Sequence, residues 1–106
     1  MSRFDAVLVD DDPLVRMSWK MVAKQKGKSI LLCSSVVEFR EKIEALDRST
    51  PIYLDSNLGE GVRGEEFALE LSSLGFTEIF LATGYDSGDL GPLPGIKGVI
   101  GKDPPF

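Results

Sequence analysis

Short apolar runs that alternate with helix-patterned segments are the feature that most constrains this chain. Phe4 to Val9 (FDAVLV) ends in acids and reads as a buried strand. Asp12-Pro13 is a helix start, with Asp12 as N-cap and Pro13 in the first turn. Leu14, Ser18, Met21 and Val22 follow at helical spacing, and Gly27 stops the helix. Ile30 to Cys33 is a second strand; Ser35 and Glu38 then form a capping box, with Val36, Phe39, Ile43 and Leu46 on one apolar face. After Pro51 a third strand, Ile52 to Leu54, stops at Asp55. Asn57 to Gly64 is a Gly-rich loop, and Glu65 to Leu74 a helix with Phe67, Leu71 and Leu74 inward. Glu78 to Ala82 and Lys97 to Ile100 are the fourth and fifth strands. The order β-α-β-α-β-α-β-loop-β predicts a parallel sheet with right-handed crossovers. Tyr85 to Ile96 holds Gly88, Gly91, Gly95, Pro92 and Pro94, so no helix of ordinary length fits there, and none is expected after the fifth strand.

The length, 106 residues, predicts one domain spanning 1–106. Twelve basic against 17 acidic residues give a net charge of −5, which argues against direct nucleic-acid binding. No apolar run approaches the roughly 18 residues of a membrane span. Arg3 and Asp5 interrupt the N-terminal apolar stretch, so no signal peptide is expected. A single cysteine, Cys33, excludes an internal disulfide and suits a reducing cytoplasm; in strand two it reads as a small buried hydrophobe. The sequence has no histidine. That removes Ser-His and Cys-His catalysis and leaves carboxylates, hydroxyls, lysines or a hard metal ion to carry any chemistry.

Ligand sites in parallel sheets lie beyond the C-terminal ends of the strands. Asp10 and Asp11 follow strand one, Asp55 strand three, Thr83 strand four and Lys102 strand five. Three carboxylates at one sheet edge repel one another unless a cation bridges them. Mg²⁺ suits an all-oxygen set and keeps several waters. The Asn57 backbone carbonyl could complete its shell. Asp55, fixed at a strand end, could attack phosphorus and form an aspartyl phosphate, with Lys102 and the Thr83 hydroxyl on the phosphoryl oxygens.

Leu8-Val-Asp-Asp-Asp-Pro-Leu-Val-Arg16, Tyr53-Leu-Asp-Ser-Asn57, Leu81-Ala-Thr-Gly84 and Ile100-Gly-Lys102 together resemble a response-regulator receiver domain of two-component signalling. The resemblance spans nearly the whole chain. It implies a flavodoxin-like, doubly wound, five-stranded parallel sheet, here with the fourth helix reduced to a loop and the fifth absent. It also implies that Asp10, Asp11 and Asp55 hold Mg²⁺, that Asp55 is the phospho-acceptor, and that Thr83 and Lys102 assist, while Asp12 keeps its capping role. The phosphoryl donor would be a histidine kinase or histidine phosphotransfer protein of a phosphorelay, in keeping with the absence of histidine here. The sequence departs from the family where Asp103, not proline, follows Lys102, and where Val99 stands in place of the usual aromatic switch residue. The missing helices belong to the family's signalling face.

Other readings compete. Singly, each aspartate reads as a strand-end cap, Thr83 as a turn residue and Lys102 as a solvated charge. Asp55 to Glu66 imitates a calcium loop but has Glu60 at the glycine position and Gly59 where a ligand is expected, which rejects it. Asp55-Ser-Asn57 is similar to the acid pair of haloacid-dehalogenase-type phosphatases, but Asn57 stands where their second Asp is required. Val15 and Trp19 read first as core packing. Without a last helix, apolar surface near strands one and five would be exposed, which predicts a homodimer or a partner domain packed there. The alternative function is a receiver-like dimerisation or interaction module that no longer depends on phosphorylation.

Overall fold

A computed structural model describes residues 4–55, 58, 63–82, 95–102 and 104–106. Five strands, β1 (Ala6–Val9), β2 (Ile30–Cys33), β3 (Ile52–Leu54), β4 (Ile79–Ala82) and β5 (Gly98–Ile100), form one sheet in the order β2-β1-β3-β4-β5. Every pairing is parallel. Among the described residues three helices lie between them: α1 (Pro13–Gln25), α2 (Val36–Lys42), which runs into a short 3-10 turn at Ile43–Ala45, and α3 (Gly64–Ser73). This is the parallel sheet expected from the alternation, in the flavodoxin-like doubly wound form that the resemblance implies. Gly95 to Lys97 and residues 104–106 contain no helix; the loop expected over Tyr85 to Pro94 lies outside the described residues.

The strands are apolar on both sides because helices lie on both faces. Val7, Val9, Ile52, Leu54, Ile79 and Leu81 point to the α2–α3 face, where they pack with Phe39, Phe67 and Leu71. Ala6, Leu8, Tyr53, Phe80, Ala82 and Ile100 point to the other face, toward α1. Phe39 and Phe67 meet edge to face at 5.6 Å and tie α2 to α3.

Local signals set most boundaries. Asp12 caps α1, its Oδ1 accepting the Leu14 N–H at 2.9 Å, and Pro13 opens the helix. Gly27 follows in the left-handed region at φ 67°, which favours glycine. Ser35 caps α2 by accepting the Glu38 N–H at 3.1 Å. The return bond of the expected capping box is displaced: Glu38 Oε1 accepts from the N–H of Ser34, not Ser35. The first strand is shorter than expected, with Phe4 and Asp5 outside it. On α1, Val15 and Trp19 pack inward as read, whereas Leu14 and Met21, which share the helical spacing, do not. Leu14 and Met21 are mostly exposed; Trp19 and Ala23 are buried, with Val15 packed beside them. Both sets have helical spacing, but only the second places the indole over the sheet.

Candidate functional site at the carboxyl edge of the sheet

The chain leaves β1 toward β2 on one side and later returns to β3 on the other, so a crevice opens between the ends of β1 and β3. Asp10 and Asp55 are the residues that follow these two strands. Ladder-type hydrogen bonds continue one residue past each strand and fix both backbones: Asp10 N–H donates to the Cys33 carbonyl and Asp55 N–H to the Val9 carbonyl, each at 3.0 Å. Alternation explains why their side chains converge. Asp10 continues the parity of Leu8, Asp55 that of Tyr53, and Lys102 that of Ile100, all on the α1 face.

The Lys102 ammonium bridges the two carboxylates. Its Nζ donates to Asp10 Oδ2 at 2.7 Å and to Asp55 Oδ1 at 2.8 Å. Asp10 is 1% exposed, and its other oxygen, Oδ1, accepts the Asp12 N–H at 2.9 Å. Arg16 adds a second cation, its Nη1 donating to the Asp10 carbonyl at 2.8 Å. Desolvation pulls the Lys102 pKa down, but the hydrogen bonds and charges of Asp10 and Asp55 outweigh it, so the group stands above the usual lysine value and stays an ammonium.

Asp10, Asp11 and Asp55 each offer a carboxylate oxygen, and these oxygens lie within 4.8 Å of one another. The donor set is oxygen only and grades from buried Asp10 to exposed Asp11. Such a cluster could hold a hard divalent cation that keeps water on its open side. Asp12 is turned away into its cap. Of the residues anticipated at the site, Asp10, Asp11, Asp55 and Lys102 come together; Thr83 and Asn57 lie outside the described residues.

Two contributors escaped the sequence reading. Gly64, anticipated as the last residue of a loop, opens α3 against the backbone of Asp55; a Cβ there would overlap the Asp55 carbonyl oxygen and stand 3.1 Å from Leu81 Cδ2. A glycine at a helix start is the only local trace of this. Trp19, read as core, also donates its indole N–H to the Lys102 carbonyl at 2.8 Å. Nothing local signals that contact, since 83 residues separate the partners.

No protein-family model and no curated protein matches the chain. Solved structures do. A CheY-like response regulator receiver domain protein from Methanospirillum hungatei is 23% identical, with a TM-score of 0.78 over 95% of this chain and 82% of that one. The chemotaxis response regulator CheY4 of Vibrio cholerae is 22% identical, with a TM-score of 0.75 over 99% of this chain and 89% of its own. The N-terminal domain of a response regulator/sensory box/GGDEF 3-domain protein from Carboxydothermus hydrogenoformans is 18% identical, with a TM-score of 0.73 over 92% and 80%. Sheet order, helix placement and these likenesses agree that the chain has the fold of response regulator receiver domains.

Proposed function

We propose that residues 1–106 form one receiver-like domain of a two-component system, which accepts a phosphoryl group on Asp55 and signals by protein–protein contact in the cytoplasm. The observation that carries this reading is the Lys102 ammonium held at 2.7 and 2.8 Å between Asp10 and Asp55, with Asp11 beside them. A structural ion pair needs one lysine and one carboxylate. Two carboxylates bridged by one lysine, with a third carboxylate beside them at a crevice, instead suit a site that handles a cation and an incoming anion.

In the proposed reaction an Asp55 carboxylate oxygen attacks phosphorus. The P–N bond to the partner's imidazole breaks, the imidazole leaves, and an acyl phosphate remains on Asp55. The proposed donor is a phosphohistidine on a histidine kinase or histidine phosphotransfer protein, in keeping with the absence of histidine from this chain. Asp10, Asp11, Asp55 and the Asn57 carbonyl are the proposed Mg²⁺ ligands. When bound, that ion supplies positive charge to the phosphoryl oxygens. Lys102 supplies a second positive charge from the protein, and Thr83 is the proposed hydroxyl donor.

Incubation with acetyl phosphate and Mg²⁺ followed by intact-mass measurement tests this. One added phosphoryl group is expected on the native chain and none on Asp55→Ala. No adduct on the native chain, with beryllofluoride also failing to bind, would sink the reading.

A second reading, an interaction module independent of phosphorylation, is favoured by one observation. Leu14, Met17 and Met21 line the outer side of α1 and are 73%, 58% and 56% exposed. The same stripe serves the first reading as a surface for a homodimer or a partner domain.

A further inference from the structure

Among the described residues, the β4–β5 pairing does not reach the backbone that carries Lys102. The β4–β5 register ends with Ala82 opposite Ile100. Gly101 follows, exposed and with open space where a Cβ would be. Lys102 therefore lies two residues past the last paired position, on a side chain with four rotatable bonds. Its ammonium nevertheless meets two carboxylates that belong to other strands.

Among the described residues, what holds this backbone comes from α1. The Trp19 indole N–H donates to the Lys102 carbonyl oxygen at 2.8 Å. Trp19 itself is 0% exposed. Its ring meets Tyr53 edge-on at 5.3 Å and Phe106 at 6.5 Å, and Tyr53 stacks on Phe80 at 5.0 Å. The indole is therefore a buried donor packed against two other rings, with little freedom to follow a moving acceptor. The same α1 begins at Asp12, whose N–H binds Asp10, and sends Arg16 to the Asp10 carbonyl. One rigid helix thus sets both ends of the Asp10–Lys102 pair.

We propose that Trp19 is a positioning residue for Lys102: its indole N–H fixes the Lys102 backbone so that the ammonium is delivered between Asp10 and Asp55. The contribution to phosphoryl transfer rests on the reading of Asp55 as acceptor; the contribution to Lys102 placement does not. A bland account also exists. A buried indole needs an acceptor, and the Lys102 carbonyl is the one at hand. That account predicts lost stability when the donor is removed, and an unchanged Lys102 ammonium.

Trp19 is the only tryptophan in the sequence. Biosynthetic replacement by β-(3-benzothienyl)alanine therefore changes one site, keeps the bicyclic ring and removes only the N–H. This chain, Trp19→Phe and the native chain are compared by two readouts. The first is the rate of reductive methylation of each lysine, followed by mass spectrometry. The second is phosphoryl incorporation from acetyl phosphate with Mg²⁺. Both variants should methylate Lys102 about five- to tenfold faster than the native chain, the factor that one lost buried hydrogen bond amounts to. Lys20 and Lys97 should keep their native rates, and phosphoryl incorporation should slow by a similar factor. An unchanged Lys102 rate in the folded benzothienyl chain would overturn the proposal. So would a uniform acceleration of all lysines in that chain, which would make the indole a structural element only. If Lys102 responds as expected while the native chain takes up no phosphoryl group, the positioning contact stands and the phosphoryl-transfer reading alone fails.

Discussion

At Gly64 the first turn of α3 leaves no room for a side chain, because the Asp55 carbonyl oxygen and Leu81 occupy the space a Cβ would need. Neither neighbour can swing aside cheaply, since one is backbone and the other is core. Gly64→Ala should therefore displace the end of β3 rather than a loop. The expected cost is about 1–3 kcal/mol in denaturant unfolding, with slower phosphoryl incorporation on Asp55 in the fraction that stays folded. Cys33 illustrates the opposite case, a residue with chemistry it cannot use. Burial, and then the charge of Glu38, push its thiol up to about 11 from 9.0. A thiol reagent should react with it only as fast as the chain unfolds. The same shift sets a pH dependence. The folded state keeps this proton when the unfolded chain has already lost its own, so stability is full below about pH 9 and falls as pH rises toward 11. The loss should reach roughly 2–3 kcal/mol from this group, and Cys33→Ala should flatten that part of the profile. Tyr53, raised by burial and by Glu78, acts in the same direction at higher pH.

Among the elements, the caps carry the clearest local energetics. Ser35→Ala should destabilise the chain by about 1 kcal/mol through the orphaned Glu38 N–H, whereas Arg40→Ala should cost less than about 1 kcal/mol. Arg40 does pair with Glu70 at 2.7 Å, but both side chains are largely solvated; thermal unfolding of the two variants side by side checks the order. Elements were legible in the sequence where the signal is local. Ile30–Cys33 and Ile52–Leu54 stand as read, and Asp12-Pro13 starts α1 as its chemistry requires. Asp10, Asp55 and Lys102 were legible for a related reason: each follows a strand, and a parallel sheet brings strand ends together. The inward face of α1 was legible only in part: Val15 and Trp19 read as core and are packed inward, while Leu14 and Met21 at the same helical spacing are exposed. Spacing alone admits Leu14, Ser18 and Met21 as readily as Val15 and Trp19, and the choice depends on which side chain fits over Leu8 and Tyr53. Nor could the sequence place the Gly64–Asp55 approach or the Trp19–Lys102 bond, because both depend on how elements distant in sequence dock.

For the whole molecule, the described helices are unequally divided between the two sides of the sheet. On one side α2 and α3 close over a core in which Ile52, Leu54, Ile79 and Leu81 are fully buried. On the other, α1 lies alone among the described helices, and Ile30, Leu32, Phe80 and Ile100 remain only partly buried. The outer side of α1 adds Leu14, Met17 and Met21 to this apolar surface. At about 25 cal/mol per Å², covering a few hundred Å² of it would favour association by several kcal/mol before the entropy of docking is subtracted. The native chain is therefore expected to sediment as a dimer at tens of micromolar. Met17→Lys combined with Met21→Lys should convert it to a monomer. These side chains are more than half exposed, so the pair of changes should leave the unfolding free energy of the monomer within about 0.5 kcal/mol per site. A native chain that sediments as a monomer would assign the surface to a different protein. A double variant that still dimerises would move the contact from α1 to the partly buried strand residues Ile30, Leu32, Phe80 and Ile100.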